Sequence, residues 1–315
     1  MSAVTDVSQA APVGAVKLLL IGIDGLRIDR AFGTGLAPTL DALREAGHFV
    51  RSEVEGPTIS GPSWATILTG ATHAEHGISD NMMREHRLAD HPDFLTREWQ
   101  RNPATTTYAA AGWPNITDPA GLGPIIRLRP EQIGTGQHHV ISLNGELYGY
   151  RVIDPEISAR AQLAVRHGGP DLSFVYFCET DDAGHYYGTF TPQYEEAIAS
   201  TDARVAGLLA AVDARVKEHG ETWIVAITTD HGHVDAGGHG GDSPEETQTF
   251  LLTVVRGASL PGALAGELPT QLAPREFVRW LLEVREELGG DASPVGQAGE
   301  VPGAAQPKPA VAARS

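Results

Sequence analysis

KLLLIGIDG, residues 17–25, is an unbroken apolar run that ends on an acidic residue and a glycine. A strand with one wet face alternates apolar and polar side chains. A run without alternation fits a strand covered on both faces, as in a parallel sheet flanked by helices. LSFVYF at 172–177 and WIVAITT at 223–229 have the same character. Each also runs into acid: Asp181 and Asp182 follow the first, Asp230 the second. Doubly wound α/β folds bind ligands beyond the carboxyl ends of their strands, so the acids stand where such a fold would use them.

Helical patterns lie between these runs. Pro38 to Ala46 carries Leu40 and Leu43 at helical spacing, with Gly47 as a stop. Gln193 to His219 carries Ile198, Val205, Leu208, Leu209, Val212 and Val216, followed by Gly220, and Arg275 to Leu288 reads as a last helix. The alternation predicts one α/β domain over 16–288, a mostly parallel central sheet with helices on both faces. Trp113 to Pro130 is rich in Pro and Gly, and Asn144-Gly145 stands between His139–Ile141 and Glu146–Tyr148 as a hairpin signal. A small cap inserted at about 113–152 is therefore expected. Residues 1–15 lack the basic region and apolar run of a signal peptide and read as a disordered arm. Residues 289–315 read as a disordered Pro/Ala/Gly-rich tail. LLLIGI is too short to span a membrane, so a cytoplasmic protein is expected.

The net charge of −17 over 315 residues argues against a nucleic-acid surface or a basic membrane-facing patch. A chain this acidic that handles an anionic substrate must neutralise it locally, and divalent cations would do so. The single cysteine, Cys178, excludes an internal disulfide and sits in an apolar run, as a buried inert thiol would.

Asp24, then Asp181, Asp182 and His185 in ETDDAGH, then Asp230, His231 and His239 in TTDHGHVDAGGHGG, supply carboxylates and imidazoles suited to metal. A short Gly-containing turn between Asp181 and His185 would let both reach one cation. Asp230 and His231 are adjacent at a strand end. His239 lies in a glycine-rich loop that permits close approach to a ligand. Ser60, in GPTISGPSWATILTG, precedes Pro62, which favours the first helical positions, so Ser60 or Gly61 is expected at the helix cap. A helix start offers free N–H groups and a positive dipole end to an alkoxide or a phosphate. Taken alone, Ser60 would equally serve as a plain capping residue.

In this order, IDG, S-x-P ahead of TGATHAEHGISDN, ETDDAGHYYG, TDHGH and GGHGG, the chain resembles the alkaline phosphatase superfamily, in its nucleotide pyrophosphatase/phosphodiesterase branch. The resemblance spans about 17 to 255 and implies an alkaline-phosphatase-like three-layer fold. It implies that Asp181, His185 and His239 hold one metal ion and that Asp24, Asp230 and His231 hold a second, with the Ser60 oxygen bridging or completing its shell. Zinc is the expected metal, with manganese as the alternative. Ser60 would be the nucleophile of a phosphodiester or nucleotide pyrophosphate hydrolase, passing through a phosphoryl-serine intermediate. Ser63 and Asn81 would contact the substrate, a small phosphorylated molecule such as a nucleotide, and Trp64 and Trp113, with Tyr148 and Tyr150, are candidate walls for its flat group.

The chain departs from that pattern in places. Ser60 stands where the branch usually has Thr, Ser63 where it has Asn, and His233 where it has Met. His233, Asp235 and Asp182 are expected beside the metals or in solvent. A phosphomonoesterase would clamp its two extra charged oxygens with a bidentate arginine; no arginine closely follows Ser60, although Arg27, Arg84, Arg127 and Arg129 are available elsewhere. A phosphonate hydrolase would use the same metal frame. A sulfatase signature would have Arg where Trp64 stands. A non-catalytic binding protein would be marked by absence of both metal and turnover.

Overall fold

The computed structural model describes residues 16–258 and 268–289. Its centre is a seven-stranded sheet in the order β2-β7-β6-β1-β5-β3-β4. The strands are β1 (Val16–Ile23), β2 (His48–Glu53), β3 (Thr107–Ala111), β4 (His138–Ser142), β5 (Leu172–Phe177), β6 (Thr222–Thr228) and β7 (Gln248–Arg256). β6, β1, β5, β3 and β4 run parallel, and β7 pairs antiparallel with both β6 and β2. All eight residues of β1 are buried, as its unbroken apolar run requires.

Seven helices matter to the argument: α1 (Pro38–Ala46), α2 (Ser60–Thr69), α3 (Phe94–Arg101), α4 (Tyr150–Leu163), α5 (Glu179–Tyr187), α6 (Pro192–His219) and α7 (Phe277–Gly289). The pleat of β1 divides its side chains between two cores. Leu19, Ile21 and Ile23 pack in one with Leu40 of α1, Ile157 of α4 and Val205 of α6. Leu18 and Leu20 pack in the other with Trp64 of α2, Phe94 of α3 and Phe277 of α7. Helices thus cover both faces, which is what lets five parallel strands exist without a wet side. Among the described residues no helix is long and apolar enough to cross a membrane.

Long-range hydrogen bonds fix helix starts that have no side-chain cap of their own. The backbone N–H groups of Thr39 and Leu40, in the first turn of α1, donate to the Asp202 carboxylate of α6 at 3.1 and 2.8 Å. At the opposite end of β1 from the strand ends discussed below, buried Lys17 donates to the Gly169 carbonyl at 2.5 Å and pairs with Asp171 at 3.1 Å.

Three expectations are corrected. The hairpin at Asn144-Gly145 does not form. His138–Ser142 instead adds a parallel edge strand beside β3, and the Asn144 side chain accepts the Leu147 N–H to cap a short helical turn, Gly145–Tyr148. Asn-Gly is also a helix-start pair when its side chain reaches forward, and the sheet edge decided between the two. Part of 113–152 therefore belongs to the main sheet, where an inserted cap was expected. The stretch Glu179–Tyr187 is helical, so Asp181 and His185 share a face by i, i+4 spacing and are not joined by a turn. Of the tail expected over 289–315, Gly289 ends α7 and the remainder lies outside the described residues, as does the arm expected over 1–15.

Gly22 lies where β1 passes under Trp64. A Cβ there would meet the indole at 2.5 Å, and the ring is fully buried with no room to give. Gly22→Ala should lower stability by about 1–3 kcal/mol, read as a lower urea midpoint at unchanged slope.

Candidate metal centre at the ends of three parallel strands

β6, β1 and β5 are neighbours, and their carboxyl ends release the chain at one level. Asp24 follows β1 directly. Cys178 follows β5 and leads into α5, which carries Asp181 and His185. Thr229, Asp230 and His231 follow β6. Ser60 enters from one side as the first residue of α2, with Pro62 in the same turn, where its missing N–H costs nothing.

Two groups of ligand-quality atoms result. In the outer group, His185 Nε2 lies 2.9 Å from His239 Nε2, and each lies 3.5 Å from Asp181 Oδ1. In the inner group, His231 Nε2 lies 3.1 Å from Ser60 Oγ, 3.2 Å from Asp230 Oδ2 and 3.5 Å from Asp24 Oδ1. Ser60 Oγ is also 3.5 Å from Asp24 Oδ1. The His231 and His239 rings stack at 3.8 Å, so the groups adjoin.

The tautomers suit metal. His239 Nδ1 lies 2.5 Å from the Thr58 carbonyl and His231 Nδ1 lies 3.0 Å from the Gly232 carbonyl. A carbonyl cannot donate, so each Nδ1 carries the proton and each Nε2 presents its lone pair. In the outer group the Nε2 lone pair of His239 then faces His185 Nε2 at 2.9 Å, a separation held by either a proton or a cation between them. The edge of a tetrahedron with bonds of 2.0–2.1 Å is roughly 3.3 Å, and both groups have edges near that length. Asp181 Oδ1 and Asp230 Oδ2 are buried acceptors without a hydrogen bond. The donor set therefore fits two divalent cations.

The protein has arranged the rest of each carboxylate. Asp24 Oδ2 accepts from Trp64 Nε1 at 2.8 Å and from the Tyr176 hydroxyl at 2.5 Å, leaving Oδ1 toward Ser60 and His231. Asp230 Oδ1 accepts the Gly25 N–H at 3.3 Å, and the Thr180 hydroxyl holds the Asp24 carbonyl at 2.5 Å. Burial, then the neighbouring carboxylates, pushes Asp24 and Asp230 well above the ordinary carboxylate range. Burial alone would raise Asp181 too, but the imidazoles of His233, His231 and His185 hold it below that range. Burial, then the facing His239, pushes His231 well below the usual imidazole value and keeps its ring neutral.

Across residues 18–297 the sequence matches the type I phosphodiesterase / nucleotide pyrophosphatase family. The chain belongs to this family. It is 24% identical over 272 residues to GPI ethanolamine phosphate transferase 1 of Yarrowia lipolytica, covering 81% of this chain and 28% of that protein. It is 26% identical over 233 residues to rat ectonucleotide pyrophosphatase/phosphodiesterase family member 7, covering 69% of this chain and 49% of that one. The chain thus spans half or less of the length of these curated relatives. The fold is that of human ectonucleotide pyrophosphatase/phosphodiesterase 5, with a TM-score of 0.57 at 16% identity, covering 85% of this chain and 94% of that one. The protein is an enzyme of the type I phosphodiesterase family within the alkaline phosphatase superfamily.

Other sequence expectations meet the structure of this phosphodiesterase-family site less directly. Asn81 lies beside Ser60, its Oδ1 accepting the Gly61 N–H at 2.8 Å. Ser63 is buried with its hydroxyl unpartnered. Trp64 is no substrate wall: it is wholly buried, and its N–H serves Asp24. Trp113 is also buried, stacked on Tyr176 and bonded to Glu146 at 3.1 Å. Both lie in the apolar core under the site because they fill the second core described above. Tyr150 is buried and Tyr148 exposed. Asp235 pairs with Arg27 at 2.5 Å, Asp182 is half-buried, and His233 is wholly buried, not solvated. Cys178 is buried as expected, yet its Sγ comes within 3.9 Å of Asp181 Oδ2.

Sequence reasoning missed Tyr176 and Asp154. A hydroxyl inside the apolar LSFVYF run was the available signal for Tyr176, since a buried tyrosine usually finds an acceptor. Nothing in the sequence marks Asp154. It sits in α4 and accepts the N–H groups of Cys178 and Glu179, both at 2.8 Å, capping the helix that carries Asp181 and His185. Burial pushes its carboxyl up to about 7. A group whose folded value is raised holds its proton more tightly when folded, so it stabilises fully below the unfolded value near 4 and loses that contribution as pH rises to about 7. Asp154→Asn removes the titration. Its stability relative to wild type should therefore climb between about pH 4 and 7, by a few kcal/mol at most, in urea unfolding of metal-free protein across that window.

Proposed function

We propose that this enzyme is a two-metal hydrolase of phosphodiester or nucleotide pyrophosphate bonds, with zinc in both positions and Ser60 as nucleophile. One observation carries the reading: Ser60 Oγ, at the first residue of α2, is 3.1 Å from the lone pair of His231 Nε2 and borders the inner group of carboxylates. Two bound cations would supply Lewis acidity to a phosphoryl oxygen and lower the cost of the Ser60 alkoxide. The chain's own residues do the rest. The N-terminal turn of α2 faces the incoming anion with its positive dipole end. Ser60 Oγ forms a bond to phosphorus as the bond to the leaving oxygen breaks, and water later hydrolyses the phosphoryl-serine ester. Asn81 stands at the same helix start, positioned to meet a phosphoryl oxygen.

The preference for a diester rests on the arginines. Arg27 is committed, its guanidinium bonded to both Asp29 oxygens at 3.0 and 2.7 Å and to Asp235 at 2.5 Å. Arg129 packs over Trp99 beside β4. Among the described residues the ion pairs of the two ligand groups involve histidines and no arginine, which supports a diester, whose phosphoryl group needs no dianionic clamp. The name of the rat relative, a pyrophosphatase/phosphodiesterase, points the same way.

Zinc-loaded protein should turn over bis-p-nitrophenyl phosphate faster than p-nitrophenyl phosphate, and Ser60→Ala should lower turnover at least about a thousandfold while keeping its zinc. A monoester rate well above the diester rate, or near-normal turnover by Ser60→Ala, would overturn the reading.

A further inference from the structure

His233 stands apart from the two ligand groups and is used by neither. Its ring is fully buried between them, 5.1 Å from the His185 ring, 5.2 Å from His239 and 5.9 Å from His231. Its Nε2 lies 3.0 Å from Asp181 Oδ1, close enough that Asp181, His231 and His233 form a plausible third set of metal donors. Its other nitrogen decides against that role. The Gly238 N–H donates to His233 Nδ1 at 3.1 Å. A backbone N–H cannot accept, so Nδ1 holds the lone pair and, in the neutral ring, the proton is on Nε2. This is the reverse of His231 and His239, whose Nδ1 atoms face carbonyls. A protonated Nε2 has no lone pair for a cation.

Asp181 Oδ1 is the acceptor that stands before this proton, 3.0 Å from His233 Nε2. It also lies 3.5 Å from the Nε2 atoms of His185 and His239, and neither Asp181 Oδ1 nor His233 Nε2 has a hydrogen-bond partner, so each is left open to the other. The ring is held in that place by close packing. A Cβ on Gly25 would come within 2.6 Å of His233 Nε2, and one on Gly184 within 2.8 Å of the same atom. Two glycines, one after β1 and one inside α5, thus make room for the imidazole edge that carries the proton.

The geometry points to His233 as a positioning residue: its Nε2–H faces Asp181 Oδ1 and would steady that oxygen for the outer cation, and it is not a ligand itself. This rests on the two-metal reading above. Partners of this kind orient a ligating carboxylate, and their loss weakens metal binding about 10–100-fold without emptying the site.

The test is a competition titration of zinc against a chromophoric chelator, with metal content counted on dialysed protein and circular dichroism to verify folding. His233→Met fills the space without a donor; it should keep two zinc ions per chain at saturation and bind one of them about 10–100-fold more weakly. His233→Gln, whose amide nitrogen can replace Nε2–H, should stay within about threefold of wild type. Loss of one zinc at saturation in His233→Met would make His233 a ligand and overturn the proposal. So would unchanged affinity in that variant, or a Gln variant as weak as the Met variant. Wild-type protein that takes up fewer than two zinc ions would instead sink the two-metal reading, and this inference with it.

Discussion

Three carboxylates, Asp24, Asp181 and Asp230, come together in one largely dry volume, and the rest of the top of the sheet is arranged around the cost of holding them there. An ionised carboxylate taken out of water is expensive unless charge or hydrogen bonds replace its hydration. The protein compensates each one in part and stops short of neutralising it. Asp24 has two donors on one oxygen, Asp230 a backbone N–H on one oxygen, and Asp181 a ring of imidazoles. In every case the oxygen left over points inward. A chain meant to bury acids quietly would have satisfied both oxygens; this one leaves the deficit where a cation would remove it.

The frame that enforces this is the strand order. Because β1 lies between β6 and β5, the three segments that leave the sheet there are neighbours in space although they are far apart in the chain. α2 then needs only to begin at the same level to bring in a hydroxyl. Helix starts are secured from a distance in the same manner twice over, by Asp202 for α1 and Asp154 for α5. The second of these links α4 to the segment bearing two of the metal-type side chains, so packing on one face of the sheet sets the aim of groups at its end.

Much of this was readable in the linear chain, and the limit of legibility has a physical cause. Apolar runs without alternation announced β1, β5 and β6, and the acids after them announced the strand ends, because burial on two faces leaves a pattern no local exception can imitate. The helix over Pro38–Ala46 was equally plain. What failed were choices settled by contacts beyond the local window. Asn144-Gly145 suits a hairpin or a helix start, and only a vacant edge beside β3 decided it. Trp64 and Trp113 looked like walls because tryptophans near a nucleophile often are; the close approach of Gly22 to the indole was invisible until the strand and helix were packed. Tyr176 and Asp154 act through hydrogen bonds to segments remote in sequence, and periodicity carries no information about them.

The two groups of metal-type atoms differ in their access to water. Asp24 and His231 are sealed, with no exposed side-chain surface, whereas the His185 side chain keeps 45% of its own. Exchange with solvent would therefore be lopsided: an ion in the outer position can leave by swapping protein donors for water one at a time, while its inner neighbour must wait for that departure or for a larger opening of the fold.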